Sequence, residues 1–284
     1  MPPASANLPA ATGDGEGGAG MDVRTVEVDG QRIRVAIRAG APQGTPLLIF
    51  NGIGANLELL GTFTAALAGI ETIVFDVPGV GGSDLPGLPY RFPGLARLAN
   101  RLLNELGYDG PVDVLGVSWG GALAQQFAFQ YAHRCRKLVL AATSPGVVMV
   151  PGRLSVISKL ISPRRYRDPD YLMRIGPELY GGTFRRRPEL LREHGRHIAA
   201  PRGLAYAYQL LAAWGWTSIF WMRLLRQPTL VMAGSDDPIV PTINAKLMAM
   251  VIRRSKLFVI DDGHLFLVTR PLESATVVGR FLAR

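Results

Sequence analysis

The residues best suited to chemistry surround Ser118. The segment GVSWG (residues 116–120) places this serine between two glycines, after the apolar run 112–117 and before the Ala-rich run 122–129. A strand that turns sharply into a helix holds such a serine above the sheet, and the glycines let strand and helix approach each other. Serine, rather than a carboxylate, at this position indicates acyl transfer: cleavage of an ester, thioester, amide or ketone C–C bond. We therefore predict that Ser118 is a catalytic nucleophile.

A serine hydroxyl is a weak nucleophile and needs a base beside it, so the four histidines are the next candidates. His264 lies in the segment DDGH (residues 261–264), directly after the last predicted strand, where a site of this type carries its base. His133 follows the helix after Ser118, and His194 and His197 lie among arginines. We expect these three on the surface, and we assign the base to His264.

The acid that orients the base is expected after the preceding strand, in the segment GSDDP (residues 234–238). Asp236 and Asp237 compete for this role. We choose Asp237, which lies three residues past the glycine and directly before a proline turn, and leave Asp236 as a helper or a solvated neighbour. Asp261 and Asp262 precede His264, but no second histidine is well placed beside them, so we predict no metal site.

Backbone amides of Ile53 and Trp119 are the expected oxyanion hole. Such a hole uses the N–H of the residue after the nucleophile and one N–H from the loop after an early strand, here NGIG (residues 51–54). Asn51 in this loop is a candidate substrate contact. The same loop begins like a dinucleotide-binding motif, but Leu57 replaces its third glycine, and residues 79–82 (GVGG) lack the Lys-Ser/Thr ending of a phosphate loop. We therefore expect no nucleotide and no other cofactor.

Elements with the rhythm of an α/β fold carry these residues. An opening hairpin is followed by continuous apolar runs, which suit strands that are buried on both faces of a mostly parallel central sheet flanked by helices. The hairpin strands are predicted at 23–28 and 33–37, and the later strands at 46–50, 72–75, 112–117, 137–142, 229–233 and 256–260. The flanking helices are predicted near 57–68, 94–106, 119–132, 242–252 and 271–283.

The rhythm breaks between residues 144 and 227, where no strand is predicted. This segment predicts a helical cap inserted after the strand that ends near residue 143, with the core formed by residues 22–143 and 228–284. Within it, Trp214, Trp216 and Trp221 are candidate substrate contacts. The stretch 203–222 has no charged residue, but polar residues and glycine interrupt it, so we predict a pair of buried helices and no transmembrane segment.

Composition excludes several classes of protein. The 284 residues are 48% hydrophobic, too apolar for a disordered chain, and the single Cys135 excludes a disulfide framework and predicts a reducing, cytoplasmic setting. Residues 1–21 contain no base and no apolar run, so we expect a flexible tail and not a targeting signal. The net charge of +9 lies wholly in 144–227, which holds 14 Lys and Arg against five Asp and Glu. Because no nucleic-acid motif accompanies it, we expect an anionic surface as its partner and no nucleic acid.

The sequence closely resembles the intracellular depolymerases of medium-chain-length poly(3-hydroxyalkanoate), a storage polyester that bacteria keep as granules. The resemblance extends from about residue 22 to the C-terminus and includes segments of the predicted cap. The matching stretches are residues 46–59, 75–83, 89–96, 116–128, 137–143, 162–166 (SPRRY), 215–218 (GWTS), 227–231 and 261–267 (DDGHLFL). The resemblance implies an α/β-hydrolase fold with a cap and a triad of Ser118, Asp237 and His264.

The resemblance also implies the reaction, hydrolysis of ester bonds between (R)-3-hydroxyacyl units at the granule surface in the cytoplasm. Two alternatives remain open at this point. One is a general carboxylesterase or C–C bond hydrolase of the same fold, and the other is a non-catalytic protein that coats granules. The sequence does not reveal the oligomeric state, the preferred side-chain length, or whether attack occurs at chain ends or within the chain.

Overall fold

A single eight-stranded sheet organises the chain. The computed structural model describes residues 20–196 and 200–284. The strands lie in the order β1-β2-β4-β3-β5-β6-β7-β8; β2 is antiparallel to both of its neighbours, and all other pairs are parallel. Their bounds are β1 Met21–Val28, β2 Gln31–Arg38, β3 Leu47–Phe50, β4 Thr72–Phe75, β5 Val112–Val117, β6 Cys135–Ala141, β7 Thr229–Gly234 and β8 Ser255–Ile260. The prediction of a mostly parallel central sheet is confirmed.

The opening hairpin is the antiparallel edge of this sheet. Asp29 and Gly30 join β1 to β2 with φ angles of 53° and 76°, the left-handed pair that a two-residue hairpin turn requires. Val28 pairs with Gln31 across the turn, so the turn fixes the register of the hairpin. β1 begins at Met21, the last residue of the predicted tail; residues 1–19 of that tail lie outside the described residues.

Helices cover both faces of the sheet. The predicted helix near 57–68 is divided into a 3-10 helix, Leu57–Leu60, and α1, and the other predicted core helices lie within two residues of their expected bounds. A short helix that the sequence analysis missed, α10, follows β8. The core helices are α1 Gly61–Ala66, α2 Phe92–Glu105, α3 Trp119–Gln130, α9 Thr242–Val251, α10 Phe266–Thr269 and α11 Pro271–Ala283.

Alternate residues of β3 show how the strands are buried. Leu48 and Phe50 pack into a cluster with residues of α2 and α3, whereas Leu47 and Ile49 pack into a second cluster with residues of α1 and α11. All four side chains are at most 1% exposed. Strands buried on both faces explain the continuous apolar runs of the sequence, because successive side chains point to opposite faces.

Residues 144–227, which we call the insert, follow β6 and precede β7. The described part of the insert contains no strand, only one isolated bridge between Gly146 and Thr217. Its helices are α4 Leu154–Ile161, α5 Pro169–Tyr180, α6 Gly182–Arg186, α7 Leu190–Arg196 and α8 Ala205–Ala213, with 3-10 helices at Pro163–Tyr166 and Met222–Leu224. The division of the chain into a core and a cap domain remains a prediction.

The uncharged stretch 203–222 differs from its prediction. It contains one α-helix, α8, and not a pair of helices, because the chain turns at Gly215 with a φ angle of 75° and continues as a loop. Glycine has no Cβ and adopts this conformation without strain, so the turn forms there. Among the described residues, no helix combines the length and the apolar character that crossing a membrane requires.

Candidate active site

Ser118 occupies the turn between β5 and α3. Its φ and ψ angles are 54° and −118°, a combination that non-glycine residues rarely adopt, so the predicted strained turn is present. Close packing around the turn requires glycine: a Cβ on Gly120 would lie 2.2 Å from the backbone oxygen of Phe50. The side chain of Ser118 is thereby held at the carboxyl end of the sheet, beside the loops that follow the other strands.

Three side chains predicted from the sequence come together at this turn. The Nε2 atom of His264 lies 3.0 Å from Oγ of Ser118, and its Nδ1 atom lies 2.7 Å from Oδ2 of Asp237. Both His264 and Asp237 are buried. A carboxylate can only accept, so Nδ1 carries the proton and Nε2 presents its lone pair to the serine hydroxyl. The arrangement is that of a nucleophile, a base and an orienting acid.

Backbone hydrogen bonds fix both ends of the pair formed by Asp237 and His264. The amides of Ile239 and Val240 each donate to Oδ1 of Asp237 at 2.9 Å, which leaves Oδ2 for the imidazole. The amide of His264 donates to the carbonyl of Tyr180 in α5 at 2.8 Å. The carboxylate is therefore oriented from the core, and the loop that carries the histidine is also held by the insert.

The neighbouring acids tie the core to the insert. Asp236 accepts hydrogen bonds from the amide of Gly182 and from Arg185, both in α6, so it is neither fully solvated nor in contact with the histidine. Asp262 is 1% exposed and accepts from the amide and hydroxyl of Thr183, whereas the side chain of Asp261 is 86% exposed. No group of three or more His, Cys, Asp or Glu residues that could hold a metal ion occurs in residues 20–196 and 200–284.

The two expected oxyanion donors belong to segments that lie next to the serine. Trp119 is the first residue of α3, so its amide has no acceptor within the helix. Ile53 lies in the loop after β3, whose Gly52 is close enough to the serine that a Cβ on it would be 3.8 Å from the serine Cβ. Asn51 is buried at the base of this loop and donates to the carbonyl of Asn56 at 2.9 Å.

A small cavity of about 60 Å³ opens at the serine. Asn51, Ile53, Ser118 and His264 line it from the core, together with apolar side chains. The insert closes its other side with Leu160, Arg165, Tyr166, Tyr180 and His194. Many of the lining side chains are apolar, and the polar ones include Ser118, His264, His194 and the buried guanidinium of Arg165.

His194 corrects one prediction. We expected this histidine on the surface, but it is 5% exposed and its ring lies 5.1 Å from that of Phe184 and 5.7 Å from that of Tyr180. The surrounding arginines suggested solvent, but the turns of α7 direct His194 to the cavity while Arg192 remains exposed. His133 is exposed, as expected, and His197 lies outside the described residues.

The three tryptophans named as candidate substrate contacts do not line the cavity. Trp214 is 71% exposed. Trp216 packs 5.1 Å from Phe92, and its indole N–H donates to the Gln126 side chain. Trp221 lies outside the cavity lining as well. In the sequence, tryptophans that pack a helix onto a core cannot be distinguished from those that line a pocket.

Arg165 is a second polar cavity residue that was not predicted from the sequence. It is 3% exposed, and its guanidinium donates to the hydroxyls of Tyr166 and Tyr206 at 3.0 and 2.9 Å. Burial alone would lower the pKa of this guanidinium, but the neighbouring tyrosine hydroxyls raise it above its ordinary value. For Tyr180, in contrast, burial raises the pKa, to about 12, so its phenol stays protonated. In the sequence, Arg165 lies in the segment SPRRY (residues 162–166), one of the stretches that carry the family resemblance.

Comparison with known proteins places this geometry in a family. Residues 45–271 match the family model described as alpha/beta hydrolase fold. The chain therefore belongs to the α/β hydrolase fold family, and it is a hydrolase of that family. Within it, the chain is 56% identical over 260 residues to the poly(3-hydroxyalkanoate) depolymerase of Ectopseudomonas oleovorans, covering 91% of this chain and 92% of the relative. The predicted fold class and the predicted resemblance are confirmed.

More distant relatives share the fold. A pimeloyl-[acyl-carrier protein] methyl ester esterase of Aromatoleum aromaticum is 26% identical over 249 residues, covering 82% of this chain and 96% of the relative. The crystal structure of a hydrolase from Pseudomonas aeruginosa PA01 superposes with a TM-score of 0.78 at 22% identity, covering 94% of this chain and 100% of that one. At that identity the likeness concerns the fold alone.

Proposed function

We propose that the protein is a serine hydrolase that cleaves the ester bonds of intracellular medium-chain-length poly(3-hydroxyalkanoate) to 3-hydroxy acids or oligomers. The observation that carries the reaction type is the continuous chain from Oγ of Ser118 through His264 to Asp237, at 3.0 and 2.7 Å. The substrate class rests on the depolymerase relative, which is 56% identical over nearly the whole chain.

In the proposed mechanism, Ser118 attacks the ester carbonyl while Nε2 of His264 takes the hydroxyl proton. The imidazolium that forms is stabilised by the ionised Asp237, which does not itself take the proton. The alcohol end of the polymer leaves with the proton from His264, so an acyl-enzyme remains on Ser118. Water activated by His264 then attacks this ester. The carboxylic acid is released, and Ser118 regains its proton from His264.

The amides of Ile53 and Trp119 are proposed to bind the oxyanion of each tetrahedral intermediate. Donors that are fixed before the reaction stabilise the developing charge without reorganisation, and losing one such donor costs about 10²–10³ in kcat. The apolar side chains that line the cavity are proposed to contact the alkyl side chain of a medium-chain-length unit, because burying apolar surface favours binding by about 25 cal/mol per Å².

The insert is proposed to bring the enzyme to the granule. Apolar side chains such as Trp214, Phe220 and Leu154 are 71–82% exposed, and each lies in the insert. All the formal excess of positive charge also lies there, and most of its arginines are exposed. A surface with both features suits an insoluble polyester whose coat carries anionic groups. We expect granule binding to weaken with added salt; binding that does not respond to salt would contradict the electrostatic part of this proposal.

The test uses purified protein with granules of medium-chain-length and of short-chain-length polyester. We expect 3-hydroxy acids or their oligomers from the former, and no release when Ser118→Ala replaces the wild type. Ser158→Ala, a change at an exposed serine of the insert, is the matched control and should release acids at the wild-type rate. Hydrolysis that survives Ser118→Ala would overturn the catalytic assignment.

A carboxylesterase of small soluble esters is the second candidate, favoured by the insert residues that close the cavity over Ser118 and by the methyl ester esterase among the relatives. Rates on p-nitrophenyl esters and on granules distinguish the two candidates. Hydrolysis of soluble esters without release from granules would favour the esterase, and granule binding without hydrolysis of either would favour a coating protein.

A further inference from the structure

The loop that carries Ile53 is held from both sides at one peptide bond. The carbonyl of Ile53 accepts the hydroxyl proton of Tyr166, and the amide of Gly54, the other end of the same peptide unit, donates to Oε1 of Gln209 at 2.7 Å. Tyr166 follows α4 and Gln209 lies in α8, so both partners belong to the insert. The two ends of this loop are held within the core: Asn51 donates to the carbonyl of Asn56, and the amide of Leu57 donates to Asp76.

The direction of the hydrogen bond from Tyr166 follows from its neighbour. Nη2 of Arg165 lies 3.0 Å from the phenol oxygen of Tyr166, and a guanidinium can only donate. The phenol proton is therefore directed to the carbonyl of Ile53. The phenol end of Tyr166 also packs against Gly54, where a Cβ would be 2.6 Å from its Cζ atom, so the loop and the tyrosine fit only because that residue is glycine.

Gln209 contacts the other oxyanion donor as well. Its backbone carbonyl accepts the indole N–H of Trp119 at 2.8 Å, and its side chain is fully buried. One residue of the insert thus holds the loop of Ile53 through its side chain and the indole of Trp119 through its backbone. The two halves of the oxyanion hole come from different loops of the core, and Gln209 is bonded to both.

We propose that Gln209 and Tyr166 are positioning residues, which set the geometry of the oxyanion hole through the peptide that follows Ile53 and through the side chain of Trp119. A peptide plane whose carbonyl and amide are both bonded cannot rotate, so the Ile53 backbone, and with it the N–H that precedes this plane, keeps one orientation. The proposal rests on the proposed serine mechanism. If it is correct, the oxyanion hole is complete only while the insert is packed against the core.

The test compares conservative variants with matched controls. Tyr166→Phe keeps the ring against Gly54 and removes the hydroxyl, and Tyr206→Phe removes an equivalent hydroxyl that bonds Leu160 and Arg165 within the insert. Gln209→Met removes the amide acceptor, and Gln227→Met removes a buried amide that bonds the carbonyl of Ala128 in α3 instead. Each protein is assayed on a soluble ester for kcat and KM, and for the rate at which a fluorophosphonate labels Ser118.

We expect Tyr166→Phe and Gln209→Met each to lower kcat by about 10- to 100-fold with KM changed less than threefold, since complete loss of a donor costs about 10²–10³. Fluorophosphonate labelling should slow in parallel, because the phosphoryl oxygen occupies the same hole. The controls Tyr206→Phe and Gln227→Met should retain at least half of kcat. Melting curves recorded for every variant ensure that folded proteins are compared.

Equal losses in each variant and its control would overturn the proposal, since they would indicate a general packing effect. Losses expressed only in KM would also overturn it, because the hole acts in the transition state. Failure of the proposed function gives a different result: wild-type protein that is not labelled at Ser118 and hydrolyses no ester. If the wild type is labelled and active, and Tyr166→Phe and Gln209→Met have wild-type kcat, only the positioning role is refuted.

Discussion

Asp262 is expected to hold the insert against the loop that carries His264, so replacing it by alanine should destabilise the protein strongly. Its carboxylate is 1% exposed and accepts hydrogen bonds from the amide and hydroxyl of Thr183 at 2.5 and 2.9 Å. It also accepts from the amide of Gly263 at 2.7 Å and from the hydroxyl of Thr269 at 2.7 Å. Thr183 belongs to α6 of the insert, and Gly263 directly precedes His264.

The magnitude follows from this network. A hydrogen bond to a charged group contributes about 1.5–3 kcal/mol, and bonds that share one carboxylate are not additive. Asp262→Ala leaves buried amide and hydroxyl donors without their acceptor, at about 1–3 kcal/mol each, so we expect a total loss of roughly 3–5 kcal/mol. In a chain of this length that loss lowers Tm by roughly 10 °C. Asp261→Ala is the matched control: its side chain is 86% exposed and should change the free energy of unfolding by less than about 0.5 kcal/mol.

The assay is urea unfolding at several pH values, with kcat/KM measured on folded protein. Burial alone would raise the pKa of Asp262, but the hydrogen bonds from Thr183, Thr269 and Gly263 hold it below the ordinary value. A lowered pKa in the folded state contributes stability above the pKa of the unfolded chain, about 3.9, and this contribution disappears as pH falls through the folded value. The deficit of Asp262→Ala should therefore be full at pH 7 and shrink below about pH 4.

Two results would refute this reasoning. A deficit at pH 7 no larger than that of Asp261→Ala would show that the hydrogen bonds of Asp262 contribute no net stability. A deficit of constant size from pH 7 to pH 3 would show that the charge of the carboxylate is not what stabilises the contact. Because Gly263 precedes His264, we also expect a fall of about tenfold or more in kcat/KM for Asp262→Ala at temperatures where it is folded.

The remaining predictions concern the turn at the serine and the tryptophans of the insert. Gly120→Ala places a Cβ 2.2 Å from the carbonyl oxygen of Phe50, so we expect a loss of about 3 kcal/mol or more in urea unfolding and loss of esterase activity. Trp221→Ala removes a ring stacked 4.4 Å from Phe129 and should destabilise the protein by about 3 kcal/mol, lowering the Tm measured by circular dichroism. The side chain of Trp214 is 71% exposed, so Trp214→Ala should leave Tm within about 2 °C. The variant should hydrolyse granules more slowly but soluble esters at the wild-type rate. An equal loss on both substrates would show that Trp214 does not contact the polymer.

The sheet and the three side chains at the serine were predictable because their signals are local in the sequence. Each central strand is a short apolar run, and Ser118, Asp237 and His264 each follow one such run. In a parallel sheet the carboxyl ends of the strands lie at the same edge. Side chains that directly follow different strands are therefore close in space, although they are far apart in the sequence. The hairpin was predictable for the same reason, since Asp29-Gly30 specifies its own turn.

The insert was not predictable in the same way, because its residues act through contacts distant in sequence. Gln209 meets Gly54 across 155 positions, and nothing next to Gln209 in the chain marks it as different from a solvated glutamine. Arg165 lies among exposed arginines in the sequence, but it is buried, and its guanidinium bonds the hydroxyl of Tyr206 in α8, 41 positions away. A charge count therefore placed the positive excess correctly on the insert but assigned this one arginine to a surface that it does not occupy.

The same contacts explain why the serine turn alone does not define an active enzyme of this kind. The core supplies Ser118, His264, Asp237 and the two amides proposed as oxyanion donors. However, the His264 amide bonds the carbonyl of Tyr180, and the Ile53–Gly54 peptide bonds Tyr166 and Gln209. All three partners lie in the insert. If an acyl chain enters only when the insert moves, these bonds break at the same time, and the two donors regain their geometry only on closure. On this reasoning, a disulfide that locks the insert to the core should preserve labelling of Ser118 by a small fluorophosphonate while abolishing release from granules. Loss of both activities would show that the lock had damaged the site, and retention of both would show that the polymer enters without any movement of the insert.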